Sequence, residues 1–567
     1  MPSNEANRPC TPKTNSDENQ IEMPTVLVNG KEVSIGDGER LNCIQAAKRA
    51  DVEIPHYCWH PALTVVASCR MCLVEVGDKK PDGTVAMQPK VVPGCQTPVK
   101  DGTVIVTNSA KVKQAQAATL EYLLLNHPLD CPTCDQAGEC FLQDYTYKFG
   151  HMQSRLMEPK TLKPDKDYIG DQVTLFTDRC VMCTRCVRFT REVSGTGELQ
   201  VINRGSHEEI DIFPGMPINN KLAGNVVDLC PVGALCSKDF LYKQRVWWLK
   251  SADSVCPDCS TGCSINVDQN NETVFRLKPR ENSQAQGHFM CDDGRFGWKY
   301  IHSDARLKRP EIVQGDRRTA VDWDSALNAT RAALQDAVKS NPKSVAAVLS
   351  PWMTVEEAYL LAKHLKSLSP DVRLALGPVR VDGEDDHYPK DVRGNAQANV
   401  KFTIRAEKCP NRRGVEAVLQ HFQGSIIAMG DLLVDAAAGR VECLYLVGGD
   451  PRGWITEDQA ASLVKVKTVV VQDLLPSAAS ARAHVLLASG SFAERDGTFV
   501  NHAGLAQAIK RSIRSPEESR PDGRILWDLA GRTGLFNASV FRHEIAQEIP
   551  ALSALAGEMC DSGVLLK

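Results

Sequence analysis

The sequence predicts a multidomain α/β protein in which four small cysteine-rich modules precede a larger α/β region. Three observations predict it. The chain has 567 residues, room for three to five domains. Of its 21 cysteines, 18 precede position 300, and most of these stand in close pairs and triplets. Beyond residue 306 cysteines almost vanish, and apolar strand-like runs alternate with helical periodicity.

Bulk composition excludes some classes. At 43% hydrophobic, 24% charged and net charge -4, nothing favours nucleic-acid binding. No apolar run approaches the roughly 18 residues of a membrane-spanning helix, so no direct membrane span is expected. The stretch Met1 to Met23 is polar and lacks both a signal-peptide core and a transit peptide's Arg-rich character. Residues 1–22 are therefore expected to form a disordered tail, and the protein to stay in a reducing cytoplasm. There, closely spaced cysteines point to metal rather than disulfides.

Residues 23–107 open with alternating Val26, Val28, Val33 and Ile35 around Asn29-Gly30, a hairpin signal. A helix over Leu41 to Ala50, a cysteine-rich loop and strands Leu73 to Val76 and Val104 to Val106 complete a β-grasp unit. Its donor set is Cys58, Cys69, Cys72 and Cys95. Plant-type [2Fe–2S] sites have four residues in the first gap; ten here make a variant, with zinc as the rival. Cys43, on the helix, is assigned to core packing.

Residues 108–150 carry a helix over 109–126 and then His127, Cys131, Cys134 and Cys140. One histidine and three cysteines suit zinc or iron–sulfur chemistry alike. In a cluster, a histidine in place of a thiolate removes negative charge and raises the potential. Asp135 and Glu139 are read as solvated or structural. Residues 151–248 hold Cys180, Cys183 and Cys186 at the bacterial ferredoxin spacing, then Cys230-Pro231. Cys230, with its following proline, is the fourth donor, and Cys236 a buried thiol. Residues 249–305 add a third four-cysteine set of different spacing: Cys256, Cys259, Cys263 and Cys291. Zinc again is the rival.

Residues 306–567 predict helices over Trp323 to Lys339 and Thr354 to Leu368. The second has a capping box, Thr354 with Glu357. Strands are expected over Ser344 to Leu349, Cys443 to Val447 and Thr468 to Val471. Gly448-Gly449-Asp450-Pro451-Arg452 follows one strand. Such a turn approaches phosphates in doubly wound folds, or only reverses the chain. His364, His387 and His421 are scattered and read as structural.

Taken together, these motifs resemble one family, the large iron–sulfur subunit (the 75 kDa-type, or G, subunit) of the proton-pumping NADH–quinone oxidoreductase, respiratory complex I. The matching stretches include Cys69-Arg70-Met71-Cys72-Leu73-Val74-Glu75-Val76, Cys95-Gln96-Thr97-Pro98-Val99 and Asn126 to Asp144. They also include Arg179 to Phe189 and Asp228 to Leu235, and the resemblance covers about residues 25–300. It implies a [2Fe–2S] cluster on Cys58, Cys69, Cys72 and Cys95. It implies [4Fe–4S] clusters on His127, Cys131, Cys134 and Cys140 and on Cys180, Cys183, Cys186 and Cys230. A third [4Fe–4S] cluster, found only in some bacterial members and off the main electron path, would sit on Cys256, Cys259, Cys263 and Cys291.

The C-terminal region resembles a truncated molybdopterin-oxidoreductase-like α/β domain, kept in this family as a scaffold; Phe492 to Asn501 matches a segment common to that fold. Formate dehydrogenases of similar layout have Cys-x-Lys-Gly-Arg after their cluster; here Asp293 stands in the lysine's place. The chain also stops before the usual closing β-domain, so no molybdenum is expected. The implied partners are the flavin/NADH-binding subunit, other peripheral-arm subunits and the iron–sulfur subunit near quinone. The implied location is the cytoplasmic side of a bacterial inner membrane, peripherally bound. Electrons would enter from the flavin subunit, pass the [2Fe–2S], Cys180 and His127 sites, and leave towards quinone.

No G-x-G-x-x-G fingerprint in a βαβ context supplies an NADH site, so the chain alone should be inactive. Three rival readings remain at this level: a molybdenum formate-dehydrogenase-like enzyme, the diaphorase arm of an NAD-linked hydrogenase, and a zinc-stabilised scaffold. Asp293 and the short C-terminus oppose the first, and the absence of a hydrogen-activating cysteine motif the second.

Overall fold

The computed structural model describes residues 23–166, 168–315 and 317–566. The tail expected over 1–22 lies outside them. The described chain forms two compact units, one of residues 23–248 with 388–399, the other of 249–387 with 400–566.

The first unit begins with the hairpin Thr25–Val28 and Lys31–Ser34. Asn29 and Gly30 both have positive φ, as a two-residue turn of this hand requires. Thr25–Val28 also pairs in parallel with Thr103–Val106, which lies antiparallel to Leu73–Lys79. Helix Cys43–Arg49 starts from a capping box of Asn42 and Gln45 and buries Ile44, Ala46 and Ala47 against the sheet. Cys43 is fully buried in that core, where desolvation pushes its thiol up to about 12. The helix expected over 109–126 runs Ala110–Leu124, capped by Ser109.

A second helix, Phe141–Phe149, starts directly from Cys140 and was not expected from the sequence. Its Tyr145 meets Tyr57, next to Cys58, edge-on at 5.4 Å. Strand Val173–Leu175 pairs antiparallel with Leu235–Ser237, which brings the Cys180 and Cys230 loops together from opposite ends of their module.

The second unit opens with a meander of Lys250–Val255, Ser264–Asn270 and Thr273–Pro279. Cys256, Cys259 and Cys263 lie in its first connection. Cys291 caps the short helix Asp292–Phe296. An eight-stranded sheet follows. Six of its strands are parallel, in the spatial order 485–488, 468–473, 443–447, 345–349, 373–376, 427–428. Numbered along the chain this is the doubly wound order 3-2-1-4-5-6, read from the far edge. Val345–Leu349 and Cys443–Val447 are buried at every position, as strands covered on both faces must be. Helix Val355–Leu368 has the expected capping box: Thr354 N–H donates to Glu357 Oε2 at 2.8 Å, and Glu357 N–H to Thr354 Oγ1 at 3.3 Å.

Arg306 and Glu494 form a two-pronged ion pair, Nη1 to Oε1 at 2.7 Å and Nη2 to Oε2 at 2.9 Å, with side chains 1% and 0% exposed. Removing one partner strands the other charge in a dry interior, at a cost of about 3–5 kcal/mol. Glu494→Gln is therefore expected to lower the stability of the second unit by about that amount. Urea unfolding of wild type and variant checks it, and a change within error would refute it.

Candidate metal centres

In the first unit the Cys58, Cys69, Cys72 and Cys95 thiols converge. Cys58 hydrogen-bonds with Cys69 and Cys95, and Cys72 with Cys95; the Cys58 N–H donates to Cys69 Sγ at 3.4 Å. Three of the four are buried. Arg70, between Cys69 and Cys72, has φ +56°. A non-glycine residue rarely adopts this region. Successive residues that turn this way aim their N–H groups into one concavity, an arrangement that holds anions and iron–sulfur sulfurs.

The same device recurs at Cys180, Cys183 and Cys186, where Met182 and Thr184 have φ +50° and +59°. The Met182 N–H points to Cys180 Sγ at 3.4 Å. Cys230 stands at the C-terminal end of helix Asn225–Leu229, and the N–H groups of Val232, Ala234 and Leu235 donate to its sulfur. All four cysteines line one small cavity with Val181 and Ile210. Cys236 points elsewhere: its thiol contacts Gly233 O at 3.6 Å, and burial pushes it well up, as for a structural thiol.

His127, Cys131, Cys134 and Cys140 line a cavity of about 590 Å³. Burial, with Lys160 and Arg179 nearby, pushes His127 down to about 4, so its imidazole is neutral and able to ligate near pH 7. Asp130 accepts from Arg179 Nε at 3.0 Å, which ties this loop to the Cys180 module. Gly233 is required by close approach: a Cβ there would lie 2.2 Å from Cys134 Sγ. Asp135 is structural, accepting from Tyr242 N–H at 2.8 Å. Cys131 is exposed, so this set opens to the surface of its unit.

In the second unit Cys256, Cys259, Cys263 and Cys291 are all buried, and Cys263 feels the charge of the other three. The Cys256 N–H donates to Cys263 O at 2.9 Å, closing the loop. A Cβ on Gly294 would lie 2.7 Å from Cys256 Sγ. Among the described residues, no three His, Cys, Asp or Glu side chains are arranged to hold a single metal ion. The donor chemistry, the left-handed turns and the two glycine cradles fit sulfur-rich clusters.

Two residues that spacing could not single out are Arg185 and Arg188, on helix Arg185–Glu192. Arg185 Nη2 donates to Trp59 O at 2.6 Å and Nη1 to Leu229 O at 3.3 Å. Arg188 Nη1 donates to Thr64 O at 2.5 Å, and Nη2 reaches Cys58 O and Cys183 O. They pin the Cys58 loop to the Cys180 loop. The available signal was two arginines inside and just after a cysteine triplet, three residues apart and so on one helix face.

Comparison with known proteins accords with this geometry. Residues 22–110 match the 2Fe-2S iron-sulfur cluster binding domain, and 116–155 the NADH-ubiquinone oxidoreductase-G iron-sulfur binding region. Residues 170–236 match the ferredoxin-like domain of NADH-quinone oxidoreductase subunit 3. Residues 249–303 match the molybdopterin oxidoreductase Fe4S4 domain, and 306–403 with 425–532 the molybdopterin oxidoreductase family. The G subunit of NADH-quinone oxidoreductase from Rickettsia felis is 33% identical over 419 residues, 73% of this chain and 59% of that protein. This chain belongs to the family of the large iron–sulfur subunit of NADH–quinone oxidoreductase.

Further members of that large-subunit family are similar. The 75 kDa subunit of NADH-ubiquinone oxidoreductase from Reclinomonas americana is 36% identical over 66% of this chain and 52% of its own length. The mitochondrial NADH dehydrogenase [ubiquinone] iron-sulfur protein 1 of Solanum tuberosum is 40% identical over 54% and 40%. The chain thus spans about half the length of the relatives it matches. A chain from a NAD+-reducing [NiFe]-hydrogenase aligns at 24% identity with a TM-score of 0.34, over 39% of this chain and 91% of that one, too weak a likeness to bear on either fold or function.

Donor and structural cysteines should separate experimentally. Cys230→Ala is expected to lose one cluster's worth of iron and acid-labile sulfide per chain, while Cys236→Ala keeps both at wild-type levels. Iron and sulfide analysis of anaerobically purified protein decides. Equal losses in the two variants would refute the assignment of Cys230 over Cys236.

Proposed function

We propose that this chain is the electron-carrying iron–sulfur subunit of an NADH–quinone oxidoreductase. It would receive electrons from a flavin subunit that oxidises NADH and deliver them to an iron–sulfur subunit near quinone. The whole complex would couple this transfer to proton translocation. In this reading the domains are 23–107, 108–150, 151–248, 249–305 and 306–567. Cys58, Cys69, Cys72 and Cys95 hold a [2Fe–2S] cluster. The other three sets, at His127, at Cys180 and at Cys256, hold [4Fe–4S] clusters, and no molybdenum is bound. The complex would sit at the cytoplasmic side of a bacterial inner membrane, with this subunit peripheral; among the described residues, no helix is long and apolar enough to cross a membrane.

The observation that carries this reading is the pinning of the Cys58 loop to the Cys180 loop by Arg185 and Arg188. Two donor sets locked to each other through buried hydrogen bonds are what short-range electron transfer between sites needs. When bound, each cluster supplies a one-electron redox couple. The protein supplies the sulfur and imidazole ligands, hydrogen bonds to sulfur and exclusion of water, and these set the potentials. The His127 set suits an exit: Cys131 is exposed, and Leu129, Tyr147 and Met152 at the cavity are 85%, 75% and 69% exposed. Such a rim is apolar enough to meet another subunit.

Anaerobically purified complex should contain acid-labile sulfide and give reduced [2Fe–2S] and [4Fe–4S] signals in electron paramagnetic resonance. Stoichiometric zinc without sulfide would refute the proposal, and stoichiometric molybdenum would revive the formate-dehydrogenase reading. A sharper test concerns His127. Replacing a neutral ligand by a thiolate adds negative charge, so His127→Cys should lower the midpoint potential of that cluster alone. An unchanged potential would mean that His127 is not a ligand.

A further inference from the structure

The switch point of the doubly wound sheet lies between Val345–Leu349 and Cys443–Val447, where the strand order reverses. Such folds bind ligands in the crevice outside these carboxyl ends. Here the chain's own groups fill it. The turn Gly448 to Arg452 leaves one strand, and Trp352 follows the other. A Cβ on Gly448 would lie 2.4 Å from Trp454 Nε1, so the turn passes too close to its neighbours for any side chain.

The Arg452 guanidinium lies 5.8 Å from the Trp352 ring centroid. Its Nη1 donates to Asp258 Oδ1 at 3.1 Å, and its Nη2 to Asp258 O and Lys408 O, both at 3.2 Å. Nε donates to Asp450 Oδ1 at 3.3 Å. Asp258 sits within the loop from Cys256 to Cys259. Lys408, only 7% exposed, brings its Nζ to 3.8 Å from Asp258 Oδ2. Its charge also acts on Cys259, Cys291 and Asp293. The Asp258 charge acts on all four thiols of the set.

We propose that Arg452 and Lys408 are positioning residues of the fourth donor set: they seat the Asp258 loop in the switch-point crevice, and the Lys408–Asp258 charges set the reduction potential of the cluster held there. The inference rests on the reading that Cys256, Cys259, Cys263 and Cys291 bind a [4Fe–4S] cluster. Reduction adds one negative charge to that group. A buried cation beside it stabilises the reduced form and a buried anion opposes it, and neither is much screened by salt. Opposite changes at the two positions must therefore shift the potential in opposite directions.

The test is a redox titration of the assembled complex by electron paramagnetic resonance, with iron counted in the same samples. The relevant signal is the one that Cys263→Ala abolishes. At a fixed ambient potential, Lys408→Gln is expected to lower the reduced-to-oxidised ratio about tenfold, ~59 mV downward for one electron. Asp258→Asn should raise it by a similar factor, and Lys408→Arg should stay near wild type. Unchanged midpoints with the cluster retained would overturn the inference. So would shifts of the same sign in Lys408→Gln and Asp258→Asn, the result of a merely loosened loop. If Lys408→Gln fails to assemble, the direction of the nearly isosteric Asp258→Asn decides alone. A wild-type complex with no signal sensitive to Cys263→Ala would instead remove the ligand assignment, and this inference with it.

Discussion

The first unit depends on two buried guanidinium groups that bond to carbonyl oxygens instead of carboxylates. Arg185 and Arg188 are 4% and 6% exposed, and the carbonyls of Cys58, Trp59, Thr64, Cys183 and Leu229 accept from them. Loops that present several cysteines to one centre cannot also satisfy their carbonyls in a helix or sheet ladder. A buried carbonyl without a donor costs free energy comparable to a lost hydrogen bond. Arginine answers this with five donors in a rigid fork and a charge that burial does not remove. One helix thereby anchors two cysteine-rich loops, and its positive charge lies beside the Cys183 thiol.

Close approach is the second constraint. Gly233 lets the Cys230 loop run against Cys134, and Gly294 lets its helix turn run against Cys256. In both places the backbone touches a donor sulfur that a side chain would push away. Arg70, Met182 and Thr184 accept left-handed backbone without the help of glycine. Strain of this kind persists where the surrounding structure over-determines it, and such places cluster at functional sites.

The second unit uses its fold differently. A doubly wound sheet places an open crevice at its switch point, and this chain lines that crevice with Trp352, Asp450 and Arg452 and closes it on Asp258. A turn that reads as a phosphate-approaching loop becomes an internal clamp. Around it, buried ion pairs such as Arg306 with Glu494 and Arg495 with Asp522 lock the scaffold to one packing, because each charge is stranded if the other moves.

Much of this was legible in sequence because it is local. Cysteine spacing, the Asn29-Gly30 turn, the Thr354 capping box and the uniformly apolar strand Cys443–Val447 each rest on interactions within a few residues. The helix from Cys140 was missed because its aromatic residues pack against Tyr57, far back in the chain. Sequence by itself determined the grouping of the cysteines and the α/β character of the C-terminal half, since spacing and periodicity are one-dimensional properties. Only the tertiary structure decided that Arg185 and Arg188 bind the Cys58 loop, that Gly233 cradles Cys134 and that Arg452 closes on Asp258. Those contacts join residues from about one hundred to almost two hundred positions apart, and nothing in the chemistry of either partner alone names the other.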